Sequence, residues 1–136
     1  MNRLIVTCLL GIYCAQGAIA QESTSTTRSI VEKHLADSAR GDVDEVLSDY
    51  ADDAVLIGPD GVVKIGKQAI RVEFEALLSP GSGSALTLTN SSYDGRVGYI
   101  TWTMGSNGNT EVLGSDTFIV EDGKITVQTV VLNPVE

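Results

Sequence analysis

Cysteine and basic residues are scarce in this chain, and each shortage excludes a class of chemistry. The chain has two cysteines among 136 residues, Cys8 and Cys14, and both lie near its start. Lys and Arg number 9 against 18 Asp and Glu, which gives a formal net charge of −9. An acidic protein repels nucleic-acid phosphates and anionic lipid surfaces. We therefore expect neither nucleic acid nor a membrane surface as a partner.

Residues 1–20 have the order of an export signal. Arg3 precedes an apolar run that extends from Leu4 to Ala15, and a small-residue site ends at Ala20. The run is short for a transmembrane helix. We expect cleavage after Ala20 and a mature protein that is periplasmic or extracellular. Cleavage would remove both cysteines, which excludes disulfide and thiol chemistry from the mature domain.

The remaining residues divide into a tether and one domain. Residues 21–27 are small and polar, which predicts a short tether without its own structure. Residues 28–136 have the length of one domain with one hydrophobic core. Apolar spacing predicts three helices, which cover about 28–40, 42–50 and 67–78.

Strand patterns occupy the rest of the chain. Two short strands, 54–57 and 62–65, flank a turn at 58–61, and a Gly-rich and Ser-rich loop follows at 79–84. Four further strands are joined by hairpin turns and cover 86–91, 97–104, 112–120 and 125–132. Helices followed by a strand meander predict an α+β domain with a curved antiparallel sheet around the helices.

Alternation along the last three strands places a few polar side chains on an apolar wall. One face would carry Ile100, Trp102, Met104, Asp116, Phe118, Val120, Gln128, Val130 and Leu132. An apolar lining with a few polar groups is typical of a small-molecule pocket. We predict that a ligand contacts Tyr50, Trp102, Met104, Phe118, Gln128 and Val130.

Asp116 and His34 are the candidate catalytic residues. A carboxyl group in an apolar wall loses hydration, which raises its pKa and allows it to donate a hydrogen bond. His34 lies on the inward stripe of the first helix and can face it. The alternative is that Asp116 caps a turn or pairs with a basic residue, while His34 is an ordinary buried helix residue. The sequence leaves both interpretations open.

Several segments resemble the SnoaL-like branch of the nuclear transport factor 2-like superfamily. They are Ala39-Arg40-Gly41-Asp42, Tyr50 to Val55, Gly66 to Ile70 and Ser115 to Ile125. The resemblance extends from about Thr27 to Pro134 and implies a cone-shaped sheet around three helices, with an interior pocket. It also implies a homodimer through the outer sheet face, which would include Thr117, Ile119, Thr129 and Val131. Such motifs specify the fold better than the activity.

The resemblance to ketosteroid isomerases covers part of the expected site. Asp116 matches their aspartic acid that donates into the oxyanion hole, and His34 matches their oxyanion-hole tyrosine. Gly58, however, matches their proton-shuttling aspartate, and neither Ile57 nor Pro59 can replace it. Steroid isomerisation by that route is therefore not expected. SnoaL-like polyketide cyclases also resemble this chain and use an aspartate and a histidine, so an acid-base role for Asp116 and His34 stays open.

No cofactor or metal is expected. Motifs for nucleotides, dinucleotides and structural zinc are absent from the sequence, and Asp49, Asp52 and Asp53 lack the longer ligand order of a calcium loop. Three functions remain open. The first, which the glycine at position 58 favours, is a module that binds a small apolar or amphipathic molecule. The second is an enzyme of the lyase, isomerase or hydrolase type that uses Asp116 and His34, and the third is a dimeric assembly module.

Overall fold

Three helices and a six-stranded sheet form the computed structural model, which describes residues 10–78, 85–106 and 108–135. The helices are α1 (Leu10–Arg40), α2 (Val43–Ser48) and α3 (Lys67–Leu77). The strands are β1 (Tyr50–Ile57), β2 (Val63–Ile65), β3 (Ala85–Asp94), β4 (Val97–Ser106), β5 (Asn109–Glu121) and β6 (Lys124–Pro134). The predicted α+β class is confirmed. The predicted loop at 79–84 lies outside the described residues.

The sheet is mixed, whereas the sequence predicts an antiparallel one. Its strand order is β2-β1-β6-β5-β4-β3, and β1 pairs with β6 in parallel, with Leu56 beside Gln128. The other pairs are antiparallel. Hairpin turns fix the direction of strands that follow one another, but β1 and β6 are separated by most of the domain. Their relative direction therefore depends on the tertiary fold.

Helix α1 continues through residues 21–27, where the sequence predicts a tether. The hydroxyl of Thr24 accepts a hydrogen bond from the Gly95 amide at 2.8 Å, and the hydroxyl of Thr27 donates one to the Gly95 carbonyl at 2.8 Å. Thr27 is buried. Threonines three residues apart lie on one face of a helix, so together they satisfy both backbone groups of Gly95 in the β3–β4 turn. This segment is therefore part of a docked helix.

Helix α2 begins as predicted and ends earlier. The Asp42 side chain accepts a hydrogen bond from the Glu45 amide at 3.1 Å, which caps the helix. The sequence predicts that Tyr50 ends this helix, but Tyr50 is the first residue of β1. The Asp49 carbonyl accepts a hydrogen bond from the Ile125 amide at 2.8 Å, so pairing with β6 draws the chain into the sheet.

A helix that spans a membrane must be both long and apolar. None of the helices among the described residues meets both requirements.

The core lies between the helices and the inner face of the sheet. Burial alternates along β5 from Gly114 to Val120, and Asp116 is paired across the strands with Ile100 and Val130. Cross-strand partners project from the same side of a sheet. The inner face predicted from alternation is therefore confirmed for these three strands.

Candidate functional site

Asp116 lies within a row of hydrogen-bonded side chains on the inner face. The Trp102 indole N–H donates to its Oδ1 at 3.0 Å, and Gln128 Nε2–H donates to its Oδ2 at 2.8 Å. The Tyr50 hydroxyl donates in turn to Gln128 Oε1. We call these four residues the polar row. It joins β4, β5, β6 and β1, and Asp116 is 8% exposed.

Gly114 allows the indole of Trp102 to reach Asp116. The two residues are cross-strand partners on β5 and β4, and a Cβ on Gly114 would lie 2.2 Å from Cζ2 of the indole. Only glycine leaves room for the ring so close to the backbone. The indole N–H then points to Asp116, which is the next inward residue of β5.

Burial raises the pKa of Asp116 above its ordinary value, and the hydrogen bonds from Trp102 and Gln128 offset only part of this rise. Each oxygen accepts one N–H and keeps further acceptor capacity. The ionised carboxylate can therefore accept a hydrogen bond from a hydroxyl of a ligand, and the protonated acid can donate one to a carbonyl. Burial, with the charges of Asp116 and Asp49, also raises the pKa of Tyr50, which keeps it a neutral donor.

His34 occupies an aromatic environment and faces Asp49. It is 2% exposed, and its ring meets those of Tyr50, Phe74 and Phe118 edge-on, at centroid distances of 5.4, 5.5 and 5.6 Å. Its Nδ1 lies 3.7 Å from Asp49 Oδ2, which is longer than a hydrogen bond. Among the described residues neither atom has a hydrogen-bond partner.

Both candidate catalytic residues are therefore buried. Among the described contacts, no hydrogen bond connects Asp116 with His34. The hydrogen bonds of Asp116 come from Trp102 and Gln128, whereas His34 Nδ1 is closest to Asp49 among carboxylates. An acid-base role for Asp116 and His34 stays a prediction.

Sequence reasoning missed an ionic cluster in which Lys33 contacts two buried carboxylates. Lys33 Nζ lies 2.6 Å from Asp37 Oδ2 and 2.8 Å from Asp49 Oδ1, and both carboxylates are 2% exposed. Burial alone raises the pKa of Asp49, but its contacts with His34 and Lys33 outweigh burial and lower it. The four-residue spacing of Lys33 and Asp37 is the sequence signal that indicates their pairing.

Asp52 and Asp53, which follow Asp49 in the sequence, are both exposed. Asp52 is exposed and pairs with Lys67 at 3.0 Å, while Asp49 is buried against α1. The described residues contain no group of three His, Cys, Asp or Glu side chains arranged to hold a metal ion.

The remaining predicted ligand contacts are buried to different degrees. Tyr50 and Phe118 are fully buried, Met104 and Val130 are half-buried, and Leu132 is 37% exposed. The inner face therefore opens toward the Met104 and Leu132 ends of β4 and β6.

One surface groove of about 260 Å³ lies elsewhere, between α1 and the β5–β6 turn. Its lining includes Ile19, Glu22, Thr26 and Asp122 and no member of the polar row. The interior pocket expected from the resemblance is thus not this groove.

Comparison with known proteins identifies the family. The SnoaL-like domain family matches residues 31–128, and the chain belongs to this family. The resemblance noted from the sequence is therefore confirmed. No curated protein matches the chain.

Solved structures share the nuclear transport factor 2-like fold. One is a protein of unknown function from Burkholderia xenovorans LB400, with 21% identity, a TM-score of 0.69, and coverage of 82% of this chain and 87% of that one. A candidate ketosteroid isomerase from Kribbella flavida DSM 17836 has 17% identity, a TM-score of 0.69 and coverage of 83% and 82%. A candidate polyketide cyclase from Sinorhizobium meliloti has 22% identity, a TM-score of 0.65 and coverage of 75% and 93%. At these identities the likeness establishes the fold alone.

The contact between Gly114 and Trp102 gives a testable prediction. Gly114→Ala would displace the indole and break its hydrogen bond to Asp116, so we expect a loss of about 1–3 kcal/mol in the free energy of unfolding. Trp102 is the only tryptophan, and its fluorescence emission should shift to the red as the ring becomes more exposed. Ser115→Ala, on the opposite face of β5, should change neither quantity. Unchanged emission in Gly114→Ala would contradict this account of the site.

The raised pKa of Asp116 predicts how stability depends on pH. The native state holds this proton more tightly than the unfolded chain, whose aspartates titrate near pH ~4. The stabilising contribution of Asp116 is therefore present at low pH and is lost as the pH rises through the folded-state pKa.

The comparison of wild type with Asp116→Asn isolates this effect. Urea unfolding between about pH 4 and 7 should show the wild type losing stability relative to the variant as the pH rises. Asp49 has a lowered pKa and the opposite dependence, but it is present in both proteins and cancels. A relative stability that increases with pH would show that the pKa of Asp116 is lowered instead.

Proposed function

We propose that this protein binds a small apolar or amphipathic molecule on the inner face of its sheet, with Asp116 as the polar anchor. The observation that carries the proposal is the buried carboxyl group of Asp116, whose described hydrogen bonds come from the neutral side chains of Trp102 and Gln128. A buried carboxylate is costly unless a cation compensates it, and buried carboxyls with shifted pKa values are frequent at functional sites.

The half-buried rim gives a ligand a way to this anchor. Met104 and Val130 are inner-face neighbours of the polar row, and Leu132 is partly exposed beyond them. Methionine adapts its shape at low cost, so a ligand can displace the rim side chains and extend the apolar contact to Phe118. The bound molecule would replace side-chain contacts with its own and bring one oxygen to Asp116.

A second candidate function is catalysis at the same place. The raised pKa of Asp116 suits a general acid, and two structural neighbours carry the names of an isomerase and a cyclase. In this reading Asp116 protonates or polarises an oxygen of the substrate, and His34 is its partner. A turnover rate that follows the protonation of Asp116 and disappears in Asp116→Asn would support it.

Binding can be tested through Trp102, because its fluorescence reports directly on the polar row. Three probes share one skeleton: phenylcyclohexane, 4-phenylcyclohexanol and 4-phenylcyclohexanone. We expect the alcohol to bind about tenfold more tightly than the hydrocarbon where Asp116 is ionised, which is the value of one hydrogen bond to a charged group. The ketone only accepts hydrogen bonds, so it should gain over the hydrocarbon only where Asp116 is protonated. Ketone affinity should increase at low pH, where Asp116 donates.

Two variants control this titration. Asp116→Leu keeps the branched shape of the side chain and removes the anchor, so the advantage of the oxygenated probes should disappear. Asp53→Asn changes an exposed aspartate of β1 and should behave as wild type. Failure of all three probes to bind wild type would refute the binding proposal for this class of molecule.

We also propose that the protein is exported and forms a homodimer. Residues 17–20 are exposed, and the described hydrogen bonds of Thr24 and Thr27 to Gly95 lie after them, so cleavage after Ala20 would keep both threonines in the mature chain. On the outer sheet face Tyr99, Leu113 and Val131 are 40%, 48% and 50% exposed, and such apolar surface favours association.

Native mass spectrometry of the protein from its own host tests both proposals. The expected species is a dimer of chains that begin at Gln21, and Val131→Glu should convert it to a monomer. A chain that retains its first 20 residues would refute export by this signal. A monomeric wild type would refute the dimer.

A further inference from the structure

Two charged side chains occupy the space that a side chain on Gly58 would fill. Gly58 is buried and continues the inward alternation of Ala54 and Leu56 along β1. A Cβ at this glycine would lie 2.8 Å from Asp60 Oδ1 and 3.2 Å from Lys64 Nζ. The absence of a side chain at position 58 therefore brings a carboxylate and an ammonium group to the edge of the inner face.

Strand register places Lys64 on the same face as the polar row. Lys64 is paired with Leu56, and Leu56 is paired with Gln128, so all three project inward. The Lys64 side chain is 17% exposed, whereas its neighbours Val63 and Ile65 are 54% and 67% exposed on the outer face. Lys64 is thus an inward-facing cation at the end of a row that leads to Gln128.

The turn between β1 and β2 fixes the Asp60 carboxylate. The Gly61 amide donates to the Gly58 carbonyl at 2.9 Å, and the Val62 amide donates to Asp60 Oδ1 at 3.0 Å. Asp60 is exposed at the surface. Its second oxygen is therefore accessible to a ligand that approaches from solvent.

Charge indicates which chemical group fits this place. Lys64 Nζ pairs with Glu73 of α3 at 3.1 Å, and Asp60 brings a second carboxylate to the Gly58 position. Two carboxylates thus accompany one ammonium group, in a protein of net charge −9. An additional carboxylate or phosphate would meet a local excess of negative charge. A hydroxyl or an amine can donate to Asp60, and a hydroxyl can also accept from Lys64.

The separation between Asp116 and the Gly58 position sets the length of a ligand that would reach both. β1 and β5 are separated by β6, and adjacent strands lie about 4.8 Å apart, so the Gly58 position that follows β1 is roughly 10 Å from Asp116. A molecule of two linked rings spans that length. It would place one oxygen at Asp116 and a second polar group at the opposite end.

We infer that Asp60 and Lys64 form a second polar subsite, which binds the hydroxyl or amine end of an amphipathic molecule whose other end is anchored by Asp116. This inference rests on the proposed binding function. It narrows the ligand class to elongated molecules with two polar ends and excludes those whose far end is anionic.

The test uses 4-phenylcyclohexanol and three derivatives that carry a hydroxyl, an aminomethyl or a carboxylate group at the para position of the phenyl ring. Their affinities for the full mature protein are measured by calorimetry at neutral pH. We expect the hydroxyl and aminomethyl probes to bind about tenfold more tightly than the carboxylate probe.

Three variants test whether the preference for the hydroxyl and aminomethyl probes depends on Asp60 and Lys64. Asp60→Asn keeps an acceptor for the Val62 amide and should fold normally, but it should reduce the advantage of the aminomethyl probe to below about threefold. Gly58→Ala should have a similar effect, because its Cβ would lie 2.8 Å from Asp60 Oδ1 and displace that carboxylate. Asp53→Asn is the matched control and should keep the wild-type order of affinities.

The outcomes separate this inference from the proposed function. If 4-phenylcyclohexanol and its derivatives bind with equal affinity, or if Asp60→Asn and Gly58→Ala leave their order unchanged, the subsite is refuted and the Asp116 anchor stands. If none of the four probes binds wild type, both proposals are refuted for molecules of this kind.

Discussion

The hydrogen bonds that converge on the buried carboxyl of Asp116 connect the functional face of the sheet. They come from Trp102 on β4 and Gln128 on β6, and Gln128 continues the row to Tyr50 on β1. These bonds fix four side chains in a mostly apolar interior, where an unpaired polar group would be costly. The arrangement requires Gly114, since any larger residue would occupy the position of the indole.

A separate ionic cluster holds the helices against this face. Lys33 bridges the buried carboxylates of Asp37 and Asp49. The Asp49 carbonyl accepts a hydrogen bond from the Ile125 amide at the start of β6. Among the described residues, the buried carboxyl groups are thus divided between Asp37 and Asp49, which Lys33 compensates, and Asp116, which has no cation beside it. That division explains why burial raises the pKa of Asp116, whereas the pKa of Asp49 is lowered.

Local patterns predicted most of the secondary structure and one face of the sheet. Alternation along β4, β5 and β6 was sufficient to place Trp102, Asp116 and Gln128 together, because side-chain direction in a strand repeats every two residues. The second helix begins at its predicted position, where the Asp42 side chain caps it. The prediction of a tether at 21–27 was wrong, because these residues belong to helix α1. Their docking depends on hydrogen bonds between Gly95, which is distant in sequence, and the hydroxyls of Thr24 and Thr27.

The sequence by itself determined the α+β class, the inner-face residues and the absence of a side chain at Gly58. Only the tertiary structure decided that β1 runs parallel to β6, that His34 faces Asp49, and that Asp60 and Lys64 fill the space beside Gly58. The physical reason is range. Side-chain alternation and capping are set by neighbouring residues, whereas strand direction and the convergence of charged groups depend on how distant segments pack.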